Sequence, residues 1–231
     1  MEPVDFALER MRSCSDFAHR ARHELMTPIS GLTMLLSVMQ REVDGGAGPM
    51  LDQAMQALQR MTRIARACVE YVDAELPLPS TSSVDCNAVL AEADSLMRQN
   101  GEPRFARADL EVRGSLPVVK AHAPSLRRVF VALLDNAVRY TKTEPAHVLV
   151  SASSEGDAWR IEVADRGLGI EEDKVEAVFA PFERQHAFDS IPGVGLSLAT
   201  ARRIVRRHGG ELGLRPRAGN GTIAWFTLPR A

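Results

Sequence analysis

Residues 23–28 read His-Glu-Leu-Met-Thr-Pro, and they lie inside the pattern that decides the fold of the N-terminal part of the chain. Small and apolar residues recur there at alternating spacings of three and four, which is the heptad seam of a packed helix. The seam consists of Met11, Cys14, Ala18, Ala21, Leu25, Pro28, Leu32, Leu35 and Met39. His23 falls farthest from this seam, so we expect its imidazole on the solvent face. The pattern leaves open whether His23 is reactive or an ordinary surface residue.

A second heptad seam follows a turn, residues 44–49, that reads Asp-Gly-Gly-Ala-Gly-Pro and would end any helix. This seam consists of Leu51, Ala54, Leu58, Met61, Ala65, Cys68 and Val72. Two helices joined by a short loop should fold back antiparallel. One such hairpin leaves apolar surface exposed, whereas two copies bury both seams in a four-helix bundle. The sequence therefore predicts a homodimer.

Length and composition are those of an ordinary globular protein of one or two domains. The chain has 231 residues, 45% hydrophobic and 25% charged, which excludes disordered and collagen-like classes. Its net charge of −2 gives no indication of a nucleic-acid partner. The longest uncharged run, residues 25–40, is shorter than the roughly 20 apolar residues that cross a bilayer, and the first residues lack the basic stretch and apolar core expected of a secretory signal. We expect no membrane span within this chain and a cytoplasmic location.

The predicted fold class is α+β, with a helical hairpin over residues 1–76, a linker over 77–83 and an α/β domain over 84–231. Prolines and a run of serine and threonine mark the linker, after which short strands alternate with helices. The predicted helices of the second domain are 86–98, 125–140 and 196–208, and the predicted strands are 106–113, 116–120, 148–153, 159–164, 211–214 and 222–228.

The predicted helix over 125–140 carries the first candidate binding residues. Asn136 has Arg139 and Tyr140 about one turn away, so an amide, a cation and an aromatic ring would face one place. Such a group suits a metal, a phosphate and a base. Magnesium suits a single amide oxygen because it keeps several waters and takes its other ligands from phosphates. The ordinary alternative is an asparagine satisfied by backbone groups.

Two glycine-rich loops supply further candidates. Asp165 follows a predicted strand and precedes two glycines, where a carboxylate can accept a hydrogen bond while the backbone approaches a flat ligand. Gly193 and Gly195 open the helix at Leu196, so backbone N–H groups and the helix dipole could form an anion site. A turn-forming Asp-Arg-Gly and a flexible loop are the ordinary alternatives.

Several stretches together resemble, in order and spacing, the sequence boxes of the sensor histidine kinases. They are residues 23–28, 134–140 (Leu-Asp-Asn-Ala-Val-Arg-Tyr), 165–170 (Asp-Arg-Gly-Leu-Gly-Ile), 179–184 (Phe-Ala-Pro-Phe-Glu-Arg), 193–198 (Gly-Val-Gly-Leu-Ser-Leu) and 219–222 (Gly-Asn-Gly-Thr). The resemblance covers nearly the whole chain. It implies that the hairpin dimer is followed by an α/β sandwich of the Bergerat ATP-binding type.

The resemblance also implies roles for individual residues. His23 would be the phosphoryl acceptor, Glu24 would hold or deprotonate its ring, and Thr27 would position water for phosphatase activity on a partner. Asp165 would accept a hydrogen bond from the adenine amino group, and Asn136 would be a Mg²⁺ ligand. The implied nucleotide-binding residues are Asn136, Arg139, Tyr140, Asp165, Gly167, Gly169, Phe182, Arg184, Gly193, Gly195, Leu196 and Thr222.

The function that the resemblance implies is that of a protein-histidine kinase dependent on ATP and Mg²⁺. It would autophosphorylate on His23 and pass the phosphoryl group to an aspartate in the receiver domain of a response regulator. Two other functions stay open from the residues: a histidine phosphotransfer protein with a degenerate ATP site, and an ATPase or serine kinase that shares the ATP-binding fold. The intact glycine boxes weigh against the first, and the heptad hairpin with its His-Glu pair weighs against the second.

Two positions depart from the family pattern, since Met26 replaces a basic residue and Ala132 stands where a second asparagine is often found. We predict that Ala132→Asn tightens Mg-ATP binding by roughly tenfold or more, because a hydrogen bond to a charged species contributes about 1.5–3 kcal/mol. Binding of ATP without magnesium should be nearly unchanged. Titration calorimetry with and without Mg²⁺ measures both affinities, and equal tightening of both would mean that residue 132 acts on packing or on the purine.

Overall fold

The structure is a computed structural model that describes residues 26, 29–39, 48–76, 78, 80–100, 103–141, 144–183 and 193–231. The predicted catalytic residues His23, Glu24 and Thr27 and the predicted nucleotide contact Arg184 lie outside these residues. The chain divides into two compact units, Met1–Leu76 and Pro77–Ala231. Within the described ranges, no helix combines the length and the apolar character that crossing a membrane would require.

The described residues of the first unit form two helices, α1 over residues 29–39 and α2 over Gly48–Asp73. Ile29 of α1 packs against Leu58 and Ala65 of α2 in a small buried cluster. Leu58 and Ala65 belong to the second predicted seam, so the apolar repeat of α2 is used for packing as the heptad pattern predicts.

Helix α1 carries a second apolar face that this unit does not cover. The predicted seam residues on α1 are exposed, at 52% for Leu32, 63% for Leu35 and 49% for Met39. Met26 and Leu36, which lie off that seam, pack beside Ile29 instead. One neighbouring helix can bury only one side of a helix that is apolar on two sides.

The described residues of the second unit form seven strands, four α-helices and two short 3-10 helices, Glu172–Lys174 and Ala177–Phe179. The strands are β1 Ser82–Asp85, β2 Asp109–Arg113, β3 Val118–Ala121, β4 His147–Glu155, β5 Ala158–Ala164, β6 Leu212–Pro216 and β7 Thr222–Pro229. The helices are α3 Cys86–Asn100, α4 Pro103–Ala106, α5 Ala123–Arg139 and α6 Ser197–Arg207. The large sheet has the order β2-β4-β5-β7-β6, with β2 parallel to β4 and the other pairs antiparallel. Strands β1 and β3 form a separate antiparallel pair.

The core of this unit lies between the large sheet and the helices packed on one of its faces. Helices α5 and α6 contact the sheet, and α3 packs against α5. The ring of Phe130 on α5 meets Phe226 on β7 edge-on, with centroids 5.5 Å apart and planes at 78°, an arrangement that aromatic rings favour. The predicted apolar stripe of α5 is buried and comprises Leu126, Val129, Phe130, Leu133, Leu134 and Ala137.

The opposite face of the sheet carries a cation stacked on an aromatic ring. The guanidinium carbon of Arg160 on β5 lies 3.9 Å from the ring centroid of Trp225 on β7. The same ring lies against Gly213 on β6, where an added Cβ would stand 2.5 Å from a ring carbon. A guanidinium, an indole and a bare glycine backbone therefore lie in a row across three adjacent strands.

Strand β1 begins at Ser82, inside the stretch that the sequence assigns to a linker. Val84 is buried at its pairing with Val119 of β3. Just beyond β1, the Asn87 side chain donates to the Leu116 carbonyl at 3.0 Å and accepts the Leu116 N–H at 3.1 Å, which mimics one more step of strand pairing. The strand therefore depends on distant partners that a local pattern does not reveal.

The strand predicted over 106–113 begins only at Asp109, because the short helix α4 precedes it. The guanidinium of Arg98 on α3 donates to the carbonyls of Phe105 and Ala106 at 3.3 Å and to that of Ala108 at 3.1 Å. These bonds hold the carbonyl groups at the end of α4 and just after it, and the Phe105 carbonyl also accepts the Ala108 N–H at 3.2 Å.

His208 joins the end of α6 to the start of α5. Its Nδ1 lies 2.8 Å from the carbonyl oxygen of Ile204, so Nδ1 carries the hydrogen and donates. Its Nε2 accepts the backbone N–H of His122, the residue before α5, at 2.9 Å. Burial lowers the pKa of His208 below its usual value, and the nearby His122 acts in the same direction. The ring must stay neutral, because a protonated Nε2 could not accept this hydrogen bond.

We predict that acid weakens the fold through His208, and that His208→Gln removes this effect. Because the folded state holds the lower pKa, the unfolded chain binds more protons between that value and about 6.5. The stabilisation is complete above about pH 6.5 and is lost as the pH falls toward the folded-state pKa. Urea unfolding near neutral pH and about one to two units below it measures the difference.

The matched control is His147→Gln, which replaces an exposed histidine paired with Asp109 at 3.0 Å. This variant should keep the loss of stability in acid. If His208→Gln loses as much unfolding free energy as the unaltered protein over the same pH interval, the assigned role of His208 is wrong.

Candidate nucleotide site

Asp165 lies directly after β5 and is only 8% exposed. Its Oδ1 accepts two backbone N–H groups, from Gly167 at 2.8 Å and from Thr222 at 3.0 Å. Its own N–H donates to the Thr222 carbonyl at 2.9 Å. Within the part of the chain that the structure describes, Oδ2 has no hydrogen-bond partner. One carboxylate oxygen is thus fixed by the backbone, and the other is available to a ligand.

The environment of Asp165 shifts its ionisation in opposing ways. Burial raises the pKa of the carboxyl and is the dominant effect, whereas the N–H groups of Gly167 and Thr222 and the charge of Arg217 lower it. The net result is a raised pKa. The site therefore holds a carboxylate with little hydration, which gains more from a hydrogen-bond donor than an exposed carboxylate would.

Asn136 lies in the last turn of α5, and its side chain has unused hydrogen-bonding capacity. Its Nδ2 is buried and has no hydrogen-bond partner among the described residues. A buried polar atom left unpaired costs about 1–3 kcal/mol, so a ligand or water at this position would relieve that cost. A half turn of the amide exchanges its nitrogen and oxygen, so the side chain can present a donor or an acceptor.

The residues around Asn136 fit magnesium as one protein ligand rather than as a complete cage. An amide oxygen is a ligand that Mg²⁺ accepts. In the described ranges, no group of three or more His, Cys, Asp or Glu side chains could hold a metal. An ion at Asn136 would take its remaining ligands from water and from a bound phosphate, which is the usual arrangement for magnesium in nucleotide sites.

Arg139 is paired with an acidic residue one turn earlier on α5. Its guanidinium donates to both carboxylate oxygens of Asp135, with nitrogen–oxygen distances of 2.7 to 3.0 Å. The sequence interpretation places Arg139 beside Asn136 as a cation for phosphate. The structure orients much of its donor capacity toward Asp135.

The glycine loop after β5 packs on the C-terminal end of α5. The N–H of Leu168 donates to the carbonyl of Tyr140 at 3.0 Å. A Cβ on Gly167 would stand 2.6 Å from that carbonyl oxygen, closer than real Cβ atoms come. This close approach brings the loop of Asp165 next to the helix that carries Asn136.

The turn predicted over 219–222 also packs against this loop. Gly221 has φ +111°, and a Cβ there would stand 2.2 Å from the carbonyl oxygen of Asp165. A Cβ on Gly169 would lie 3.4 Å from the carbonyl oxygen of Gly221. Only glycine combines this backbone conformation with such close packing.

A further group of candidate residues surrounds the start of α6. The N–H of Phe182 donates to the Gly195 carbonyl at 2.9 Å, and both residues have positive φ, 67° and 76°. Leu196 is buried and precedes α6 without a side-chain cap, while Gly193 is exposed with open space around it. The first N–H groups of α6 thus lack a cap from Leu196, and an anion could satisfy them.

The sequence interpretation missed Arg217, which lies between β6 and the glycine turn. Its Nη1 donates to the carbonyl oxygen of Asp165 at 2.7 Å, and its N–H donates to the Gly221 carbonyl at 3.0 Å. A single arginine in a loop gives no local pattern, so only the folded arrangement reveals this contact.

Residues 121–231 match the family model described as histidine kinase-, DNA gyrase B-, and HSP90-like ATPase. This match covers α5, the glycine loops, α6 and the strands of the sheet from β4 onward. The class of domain is therefore the ATP-binding domain shared by these proteins. The full-length structure of ShkA in complex with AMPPNP has the same fold, with a TM-score of 0.72, 22% identity and coverage of 95% of this chain and 46% of that one.

Two curated relatives extend the similarity to nearly the whole sequence. The alginate biosynthesis sensor protein KinB of Pseudomonas aeruginosa is 28% identical over 229 residues, covering 96% of this chain and 38% of KinB. The sensor histidine kinase ZraS of Escherichia coli K12 is 28% identical over 224 residues, covering 96% of this chain and 46% of ZraS. Over nearly its whole length the chain is similar to sensor histidine kinases, and it spans less than half the length of these relatives.

We predict that Gly167→Ala destabilises the second unit by about 1–3 kcal/mol, as overpacking of a close contact does. The added methyl would clash with the carbonyl oxygen of Tyr140. Relieving that clash would move the glycine loop away from α5. Thermal unfolding measures the loss. Gly193→Ala is the matched control, because nothing lies within 4 Å of its added Cβ and its φ is not in the left-handed region. Equal melting temperatures for both variants would contradict the proposed packing role of Gly167.

Proposed function

We propose that this chain is an ATP-dependent protein-histidine kinase that phosphorylates itself on His23. It then transfers the phosphoryl group to an aspartate of a response regulator in two-component signalling. The observation that carries the proposal is the pair of unsatisfied polar groups at the candidate site, Oδ2 of Asp165 and the amide of Asn136. Both belong to sequence boxes that resemble those of sensor histidine kinases, and the relatives include the sensor histidine kinase ZraS.

For nucleotide binding, Asp165 would accept a hydrogen bond from the adenine amino group through Oδ2. Its fixed Oδ1 supports this role, because the carboxylate is oriented before the ligand arrives and loses little entropy on binding. Asn136 would hold Mg²⁺, which when bound neutralises charge on the ATP phosphates. The uncapped start of α6 and the glycines before it would bind phosphate oxygens.

For phosphoryl transfer, a neutral imidazole nitrogen of His23 would attack the γ-phosphorus of ATP. The new nitrogen–phosphorus bond forms as the bond from phosphorus to the bridging oxygen breaks, and ADP leaves. The carboxylate of Glu24 would hold the ring or take the proton that the other ring nitrogen releases. A pKa near 6.5 leaves most of an exposed histidine neutral at about pH 7, as this step needs. Thr27 would position water when the phosphoryl group is removed from the regulator.

The first unit would act as a homodimer through a four-helix bundle, as the two seams predict. The exposed residues Leu32, Leu35 and Met39 support this proposal, because a second copy would remove this apolar surface from water. The Bergerat-type sandwich would supply ATP to the hairpin, and the receiver domain of a response regulator would be its second protein partner. The proposed location is the cytoplasm, where such a regulator and ATP are found.

The decisive experiment is incubation with labelled ATP followed by acid and base treatment. We predict an acid-labile and base-stable label that His23→Ala abolishes while leaving ATP binding intact, because acceptor and nucleotide site belong to different units. Asn136→Ala should abolish Mg-ATP binding and labelling together. Titration calorimetry separates the two effects.

The matched control for His23→Ala is His19→Ala, which removes another histidine of the same predicted helix and should leave the label in place. A label that survives His23→Ala, or that is lost only in His19→Ala, would refute the acceptor assignment. Normal Mg-ATP binding by Asn136→Ala would instead show that the metal site is misplaced.

A further inference from the structure

Arg217 stands apart from the residues that the sequence boxes supply, yet it touches the residue at the centre of the candidate site. It lies one residue after β6, and its Nη1 donates to the main-chain carbonyl of Asp165 at 2.7 Å. The arginine does not bond the carboxylate itself. Its contact is therefore with the backbone from which the Asp165 side chain projects.

The backbone on both sides of Asp165 is fixed by the segment 217–222. Thr222 accepts the N–H of Asp165 at 2.9 Å, and Arg217 binds its carbonyl. Gly221 packs so closely on that carbonyl that no other residue would fit without a shift. The segment is itself closed by the bond from the Arg217 N–H to the Gly221 carbonyl at 3.0 Å.

We propose that Arg217 is a positioning residue for purine recognition, which holds the main chain of Asp165 so that Oδ2 remains oriented toward the ligand. This inference rests on the proposed ATP-binding function. Without the guanidinium, the carbonyl of Asp165 would lose its charged donor, and the carboxylate could turn away from the purine. The contact differs from a simple turn-closing role because it also brings a positive charge near a poorly hydrated acid.

The charge contribution follows from the groups that act on Asp165. Two of them are backbone N–H groups, those of Gly167 and Thr222, which lower the pKa of its carboxyl. Among the described residues, the charged side chain that lowers this pKa is that of Arg217. Burial already favours the protonated carboxyl, and Arg217 opposes that tendency. A protonated Asp165 would offer a donor where an adenine amino group needs an acceptor, so loss of Arg217 should extend this mismatch to higher pH.

The test compares ATP with inosine triphosphate, which carries a carbonyl in place of the amino group, by titration calorimetry over a range of pH. For Arg217→Met we expect roughly tenfold weaker ATP binding, as for loss of one charged hydrogen bond. The acid-induced fall of ATP affinity should move to higher pH, and inosine triphosphate should lose less affinity than ATP. Arg217→Lys keeps the charge and should restore the pH profile toward that of the unaltered protein.

The matched control is Arg215→Met, which removes an arginine two residues earlier that pairs with Glu162 at 2.9 Å. It should leave ATP affinity and its pH profile unchanged. Thermal unfolding without nucleotide reports on folding, and if Arg217→Met does not fold, the pH profile of Arg217→Lys carries the test. In that case, the proposal is wrong if the acid-induced fall of ATP affinity in Arg217→Lys lies at clearly higher pH than in the unaltered protein, although lysine keeps the charge.

Two further results would also refute the role of Arg217. One is unchanged ATP affinity and pH profile in Arg217→Met, and the other is an equal loss for ATP and inosine triphosphate without a shift in the profile, which a merely structural role would produce. If the unaltered protein binds no ATP, the proposed function itself is refuted. The ATP titration of the unaltered protein alone shows this, before any variant is measured.

Discussion

The arrangement of the second unit depends on one carboxylate oxygen, Oδ1 of Asp165, which accepts backbone N–H groups from two separate parts of the chain. One donor follows it in the glycine loop, and the other begins β7. A local turn and a long-range strand junction are thereby tied to the same atom. Because the remaining oxygen needs no protein partner within the described residues, the interaction that stabilises this junction also prepares a binding group.

Hydrogen bonds to backbone groups also hold both ends of α5 to other parts of the chain. At its C-terminal end, the Tyr140 carbonyl binds the glycine loop. At its N-terminal end, the N–H of His122 is bound by a histidine at the end of α6. Helix α5 is thus held by the loop that carries Asp165 and by the helix that opens with the phosphate-binding candidates. These two anchors fix the position of Asn136 on the helix, which is buried along one face between them.

The sequence predicted most of the regular structure of the second unit because its elements carry strong local patterns. The apolar stripe of α5 and the alternation in β4 and β5 are examples, and each predicted helix and strand of this unit has an observed counterpart whose bounds differ by only a few residues. The sequence did not predict β1, whose pairing depends on Asn87 and on a strand more than thirty residues away.

The candidate site shows the same limit. Asp165 and Asn136 could be singled out because glycines or helical spacing surround them. Arg217 and His208 could not, because their roles depend on backbone groups that folding brings to them from elsewhere in the chain. The seam of α1 was a different case, in which the pattern was real but a single chain offered a partner for another side of the helix.

The stack of Arg160, Trp225 and Gly213 on the open face of the sheet has an evolutionary consequence. Gly213 and Trp225 are paired across β6 and β7, and the indole occupies the volume that a side chain at position 213 would need. The two positions therefore cannot drift independently. An alanine or valine at 213 would require the indole to move or a smaller residue at 225, and either change would disturb the guanidinium that rests on the indole.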